Sequence, residues 1–139
     1  MILKHNQWER AVQSYLATIS FVDAHIGRLL DTLEASEHAD NTIIVLWGDH
    51  GWHLGEKQHW RKHALWDVTT RTTLIMAGPE AIQGGRLCDR PVSLIDIYPT
   101  MLELTGVPQR DGLDGQSIVP LLENPKRLWD QPVLMTFGY

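Results

Sequence analysis

The chain has 139 residues, a formal net charge of −5 and 43% hydrophobic residues. This is the length of one domain and the composition of an ordinary globular protein. The acidic balance argues against a nucleic-acid-binding protein, which would carry a basic surplus. No apolar run reaches the roughly 20 residues of a membrane span, and no signal-peptide pattern is present at the N-terminus. Composition therefore indicates a globular domain and leaves its cellular compartment open.

The first two predicted elements indicate the fold class. Residues 8–36 carry apolar side chains at spacings of three and four, which predicts one long helix. Residues 42–47 form an unbroken apolar run, typical of a strand buried on both faces. A helix followed by such a strand is the building pattern of an α/β sheet, in which ligands bind beyond the carboxyl ends of strands. Asp49 and His50 lie at that position.

The rest of the chain alternates turns with short elements, and it shows no repeat or low-complexity tract. Turn signals, periodicity and capping residues predict each element. We expect a loop at residues 49–63, a helical turn at 64–70, strands at 72–77, 86–92 and 132–137, a helix at 98–104 capped by Ser93 or Asp96, and a short buried segment at 118–122.

The pair Asp49 and His50 places a carboxylate beside an imidazole where the predicted strand ends. Such a pair suits a metal site or a general base. A capping aspartate followed by a surface histidine explains the same spacing, so both interpretations stay open. Flanking glycines at 48 and 51 favour the first interpretation, because glycine lets the backbone approach a ligand closely.

The predicted loop is also rich in imidazoles and cations. Four of the seven histidines fall within fourteen positions: His50, His53, His59 and His63. Their spacing suggests a zinc site, but two glycines interrupt the segment, and the single Cys88 excludes a cysteine-rich site. Lys57, Arg61 and Lys62 either are solvated loop charges or hold the anionic group of a substrate near a bound cation.

Four segments in the same order resemble the type I sulfatases, closest to the branch that includes iduronate-2-sulfatase and many bacterial enzymes. Residues 48–56, Gly-Asp-His-Gly-Trp-His-Leu-Gly-Glu, followed by Trp60 and Lys62, resemble the metal- and sulfate-binding segment of that family. Residues 15–33, 93–101 and 113–122 resemble the segments around it. The resemblance implies an α/β fold, part of the alkaline-phosphatase-like three-layer α/β/α sandwich.

The resemblance also implies roles for individual residues. Asp49 and His50 match the positions that bind a divalent cation, expected to be Ca²⁺, although calcium prefers oxygen ligands and His50 is the weaker partner. Lys62, thirteen positions after Asp49, matches the lysine that contacts the sulfate and balances negative charge as the S–O bond breaks. Lys57, His59 and Arg61 match no general catalytic position of the family, and together with His53 they are candidates for lining the substrate pocket.

The implied reaction is hydrolysis of a sulfuric ester of a small molecule or glycan, with a hydrated formylglycine as nucleophile. The family's modification motif, Cys or Ser, any residue, Pro or Ala, any residue, then Arg, does not occur in the 139 residues. We therefore interpret residues 1–139 as the C-terminal portion of a sulfatase catalytic domain, either a truncated reading frame or an excised fragment. We expect the isolated chain to be inactive and to self-associate through exposed sheet edges or helix faces.

Two other functions remain alternatives. One is a phosphate monoester or diester hydrolase of the alkaline-phosphatase superfamily, which shares the fold and the Asp-His element; the stretch through Trp60 and Lys62 favours the sulfatase. The other is an inactive fragment with only a binding role, which the missing nucleophile supports.

Overall fold

A computed structural model describes residues 5–79, 82 and 84–136 of the protein. The chain divides into two compact units, the first formed by Met1–Thr42 with His50–Thr72 and the second by Ile43–Asp49 with Thr73–Tyr139. Among the described residues, each unit holds one two-stranded antiparallel sheet. Among the described residues, no helix combines the length and the apolar character that crossing a membrane requires.

The first unit begins with helix α1, which spans Trp8–Glu34 and confirms the predicted helix to within two residues. Its apolar periodicity is present, yet no residue of α1 is buried. Phe21 is 65% exposed and Leu29 is 69% exposed. The described residues therefore leave much of this apolar surface exposed, although Tyr15 stacks on Trp52. A single turn of 3-10 helix at Ala39–Asn41 follows.

A small hairpin follows in the first unit, at the place where the sequence predicted an irregular loop. Strands β2 (His53–Leu54) and β3 (Trp60–Arg61) pair antiparallel, and a 3-10 turn at Glu56–Gln58 joins them. The loop prediction was wrong here because strands of two residues are too short to show alternation. Gly55 starts the turn with a φ of 116°, a conformation that glycine adopts without strain. Helix α2 (Asp67–Thr70) confirms the predicted helical turn.

The sheet of the second unit pairs strand β1 (Ile44–Trp47) with strand β4 (Leu74–Ala77). Both predicted strands are confirmed, but burial of the first on both faces is wrong. Trp47 is 50% exposed and Ile75 is 53% exposed. The reason is that these two strands have only one neighbour each among the described residues, so most of the sheet surface stays in contact with solvent.

Helices α3 (Ile97–Leu104) and α4 (Val119–Glu123) carry most of the small core of the second unit. A 3-10 turn at Leu94–Asp96 leads into α3 and begins with the capping box of Ser93 and Asp96, the two predicted capping residues. The short buried segment predicted at 118–122 is confirmed by α4. The buried apolar side chains here are Leu102, Ile118, Val119 and Leu121.

Two predicted strands are wrong. Residues 86–92 form no strand, because their hydrogen bonds to the neighbouring segment run through side chains. Arg86 Nη1 donates to the Glu123 carbonyl at 2.8 Å, and Arg90 Nε donates to the Arg127 carbonyl at 3.1 Å. Residues 132–136 also form no strand, and position 137 of that prediction lies outside the described residues.

Asp96 is the polar centre of the second unit and gives a direct test of its packing. The carboxylate is 6% exposed and accepts the Ser93 N–H at 2.8 Å and the Gln116 N–H at 3.0 Å. Asp96→Ala removes both acceptors and leaves two amides unpaired, so we expect a loss of about 3 kcal/mol of unfolding free energy. Urea denaturation measures it, with the exposed Asp111→Ala as control. Equal stability of the two variants would show that Asp96 does not hold this unit together.

Candidate metal and sulfate site

Asp49 lies directly beyond the end of a strand in the second unit. The β1–β4 pairing continues one bond past Trp47, since the Gly48 N–H donates to the Thr73 carbonyl at 3.0 Å. Asp49 comes next and is exposed. A carboxylate at the carboxyl end of a strand, in contact with solvent, is the position and chemistry predicted for a cation ligand.

His50 begins the next part of the first unit, and its ring is oriented locally. Its Nδ1 lies 2.8 Å from the Gly51 carbonyl oxygen, which can only accept, so Nδ1 carries the hydrogen. In the neutral ring this hydrogen bond assigns the lone pair to Nε2, the tautomer of a histidine that binds metal through Nε2. The Thr72 hydroxyl donates to the His50 carbonyl at 3.4 Å.

Gly51 fixes the path of the backbone after His50. Its N–H donates to the Thr69 carbonyl at 2.9 Å, and the Trp52 N–H donates to the Val68 carbonyl at 3.0 Å. A Cβ at position 51 would collide with the Val68 carbonyl oxygen. Glycine is thus required here for the close approach of two backbone segments, whereas the approach to a ligand that the sequence suggested stays a prediction.

Lys62 follows strand β3 directly and is half-buried. The hairpin before it carries the other predicted cations. The Lys57 ammonium lies 5.0 Å from the centre of the Trp66 ring, so it is engaged in a cation–π contact, whereas Arg61 is exposed. Lys57, Gln58 and Arg61 all have positive φ, between 56° and 78°, a strained region for residues with a Cβ.

His53 and His59 pack against each other in the hairpin, His53 buried and His59 half-buried. Their ring centres are 4.9 Å apart, edge to face, and His53 has no exposed surface. Neither nitrogen of His53 has a hydrogen-bond partner, and neither does Nε2 of His59. The role of His53 in substrate binding stays a prediction, and its ring has no exposed surface among the described residues.

Glu56 stabilises the turn of the same hairpin. Its Oε2 accepts the Leu54 N–H at 2.7 Å and lies 3.8 Å from His53 Nδ1. Hydrogen bonds from the backbone N–H groups of Glu56 and then Leu54 lower the pKa of the Glu56 carboxyl. The carboxylate is therefore charged at neutral pH, and its hydrogen bond with the Leu54 N–H stabilises the turn.

The donor set fits a hard divalent cation only in part. Asp49 supplies the oxygen donors that Ca²⁺ prefers and His50 one nitrogen, whereas Ca²⁺ takes six to eight ligands. Across residues 5–79, 82 and 84–136, no three His, Cys, Asp or Glu side chains come together as a possible metal site. The four clustered histidines are therefore not assembled as the zinc interpretation requires.

Comparisons with known proteins identify the family. The sequence model of the family described as Sulfatase matches residues 3–107. A "Sulfatase" of Formosa agariphila is 43% identical over 136 residues, which are 98% of this chain and 27% of that protein. The choline-sulfatase of Rhizobium meliloti is 36% identical over 93% of this chain and 25% of its own. The human iduronate 2-sulfatase is 33% identical over 68% of this chain and 22% of its own. The chain belongs to the sulfatase family.

Solved structures agree with the predicted fold class. A protein solved in complex with its substrate D-glucosamine-2-N,6-O-disulfate is 40% identical, with a TM-score of 0.75 over 80% of this chain and 22% of that one. A phosphonate monoester hydrolase from Silicibacter pomeroyi is 35% identical, with a TM-score of 0.69 over 73% of this chain and 20% of that one. The chain is thus part of an α/β, alkaline-phosphatase-like fold, and it spans about a quarter of the length of the relatives it matches.

The sequence did not predict the aromatic arrangement around the site. Trp52 stacks with Tyr15 on one side and with His50 on another, each at 6.2 Å between ring centres. The six tryptophans, a high number for this length, were the available signal. That number could not assign any of them to a position beside His50, because the contact with Tyr15 joins residues 37 positions apart.

Proposed function

We propose that this chain supplies the cation-binding and sulfate-binding residues of a sulfatase active site, in the C-terminal portion of the catalytic domain. The observation that carries the proposal is the family match over residues 3–107, which includes Asp49, His50 and Lys62. The exposed carboxylate after β1, the tautomer of His50 and the place of Lys62 directly after β3 support it.

In this proposal each residue has a separate task. Asp49 and His50 hold a divalent cation, Ca²⁺, together with ligands from other parts of the domain. A cation held there would supply Lewis-acid chemistry toward a sulfate oxygen and the nucleophile. Lys62 places a positive charge where negative charge grows on the sulfate as the S–O bond breaks. The nucleophile, formylglycine in this family, comes from outside the 139 residues.

The substrate class we propose is a sulfated carbohydrate. Its support is the similar structure solved with D-glucosamine-2-N,6-O-disulfate and the similarity to iduronate 2-sulfatase. The iduronate-2-sulfatase-like branch is part of the same proposal and rests on residues 48–56 with Trp60 and Lys62.

A chimera tests the reaction class. In it, residues 1–139 replace the matching segment of the Formosa agariphila sulfatase, so that all other parts of the domain are present. We expect the chimera to hydrolyse 4-nitrocatechol sulfate faster than 4-nitrophenyl phosphate. The opposite ratio would favour the second candidate function, hydrolysis of phosphate or phosphonate esters. The observation that favours this candidate is the similarity to the phosphonate monoester hydrolase.

The 139-residue chain without the rest of a domain is expected to be inactive and to self-associate. It has no formylglycine motif, and the apolar surface of α1 is exposed at Phe21 and Leu29. Release of nitrocatechol with Ca²⁺ present should equal that of the Lys62→Ala chain. Turnover well above that control would contradict the expected inactivity. A sharp monomer peak in size-exclusion chromatography would contradict the expected self-association.

A further inference from the structure

Two aromatic side chains support the imidazole of His50. Trp52 stacks on His50, with 6.2 Å between the ring centres and 30° between the ring planes, and it stacks on Tyr15 at 6.2 Å and 24°. Both distances lie in the range of roughly 4.5–7 Å that aromatic pairs prefer. All three residues belong to the first unit and are half-buried, and we call them the ring stack. The roles proposed for Asp49, His50 and Lys62 leave Tyr15 and Trp52 without a task.

The ring of His50 is constrained at its edge and on its face by different partners. At the edge, Nδ1 donates to the Gly51 carbonyl at 2.8 Å, and this hydrogen bond sets the tautomer. On the face, the stacking contact with Trp52 constrains the tilt of the ring, which is a separate degree of freedom. The direction of the Nε2 lone pair depends on both, so Trp52 contributes to the orientation of a proposed cation ligand.

The two supporting rings are themselves anchored to helices. Tyr15 lies in the interior of α1, so the hydrogen bonds of the helix fix its backbone. The Trp52 N–H donates to the carbonyl of Val68, a residue of α2, at 3.0 Å. Side chains that project from such rigid elements hold a binding group more precisely than side chains of loops. The ring stack therefore orients the imidazole before a cation arrives, which lowers the entropic cost of binding.

We propose that Trp52 is a positioning residue for the cation site, with Tyr15 as its support, and that both act by holding the His50 imidazole in the orientation that cation binding requires. The proposal rests on the proposed function for the role of His50 as a ligand. Its consequence is that helix α1, which provides none of the proposed ligands, contributes to cation affinity through Tyr15. Partners that orient a metal-binding histidine typically contribute about 10–100-fold to metal affinity.

Calorimetric titration of the chimera with Ca²⁺, without any substrate, tests the proposal. Trp52→Leu removes the flat ring and keeps an apolar side chain, and it should weaken Ca²⁺ binding by about tenfold. Trp52→Phe keeps an aromatic ring in the stack and should retain most of the affinity. Tyr15→Leu should weaken binding by at least about twofold, the lower end for coupled residues in contact. The control is Phe21→Leu, which removes the ring that packs on His25 at 4.4 Å elsewhere on α1 and should leave the affinity unchanged.

A second titration asks whether the ring stack acts through His50. His50→Ala removes the ligand that the stack is proposed to orient, so Trp52→Leu or Tyr15→Leu should cause no further loss of affinity in that background. General damage to the fold of the site would lower the affinity equally in both backgrounds, because it would also affect the other ligands. The comparison therefore separates a positioning role from a merely structural one.

Three results would overturn the positioning role: unmodified affinity in Trp52→Leu, equal losses in Trp52→Phe and Trp52→Leu, or equal losses from Trp52→Leu with and without His50. Circular dichroism identifies a variant that fails to fold, and if Trp52→Leu does so, Tyr15→Leu in the two backgrounds decides the question. Unmodified Ca²⁺ affinity in His50→Ala would instead contradict the proposed function. A weakened His50→Ala beside an unaffected Trp52→Leu would contradict the positioning role alone, so the two failures are distinguishable.

Discussion

Replacing Lys62 with alanine is expected to lower kcat/KM of the chimera for 4-nitrocatechol sulfate by about 10²–10³-fold. The reason is that Lys62 would stabilise the charge that develops only as the S–O bond breaks, so it would lower the energy of the transition state. Removal of one such group typically lowers the rate by about 10²–10³-fold. The loss should fall mainly on kcat, because the charge that Lys62 balances is larger in the transition state than in the bound ester. Lys62→Arg keeps the charge in a different shape and should retain part of the rate.

Lys126→Ala is the matched control for this prediction. Lys126 is an exposed lysine of the second unit, outside the proposed site, and its removal should leave the kinetics unchanged. A Lys62→Ala chimera with wild-type kcat/KM and an intact circular dichroism spectrum would exclude Lys62 from the sulfate contact. A rise in KM alone would assign Lys62 to substrate binding without a role in the chemical step.

Asp49→Asn is expected to weaken binding of Ca²⁺ to the chimera by at least about 100-fold and to lower its activity in parallel. Replacing a residue that only hydrogen-bonds to a metal ligand already costs about 10–100-fold in affinity, so loss of a charged ligand should cost more. The asparagine keeps one oxygen donor at the same place after β1 and removes the negative charge. Raising the Ca²⁺ concentration should therefore restore part of the activity, and a chelator should abolish that of the unmodified chimera.

The control for the metal prediction is Asp111→Asn, an exposed aspartate of the second unit outside the proposed site. Isothermal titration with Ca²⁺ and steady-state rates at several Ca²⁺ concentrations measure both effects. Unchanged affinity in Asp49→Asn would remove this residue from the cation site. Reduced activity that no Ca²⁺ concentration restores, with normal affinity, would give Asp49 a role other than holding the cation.

The sequence allowed prediction of the elements that local patterns determine. Helix α1 shows its periodicity over seven turns, and the cap at Ser93 and Asp96 uses residues three positions apart. Burial could not be predicted in the same way, because it depends on which segments pack together. The apolar run at β1 is typical of a strand with two neighbours, and in the described residues it has one, so Trp47 remains exposed.

The candidate site shows the same difference between features that local sequence determines and features that depend on long-range packing. Asp49, His50 and Lys62 lie in one contiguous motif, so the sequence alone could name them. The complete burial of His53 could not be predicted, since it results from the fold of a hairpin whose strands have two residues each. The ring stack required the long-range contact between Tyr15 and Trp52.

A crystal structure of the chimera with Ca²⁺ and a sulfate ester tests the central claim most directly. We expect an Asp49 carboxylate oxygen at about 2.3–2.6 Å from the cation, the usual calcium–oxygen distance. His50 Nε2 should lie in the same coordination shell, and the Lys62 ammonium should donate to a sulfate oxygen at about 2.7–2.9 Å. A cation and a sulfate bound elsewhere, with Asp49 and Lys62 in contact with neither, would contradict the assignment of this chain to the cation and sulfate side of the active site.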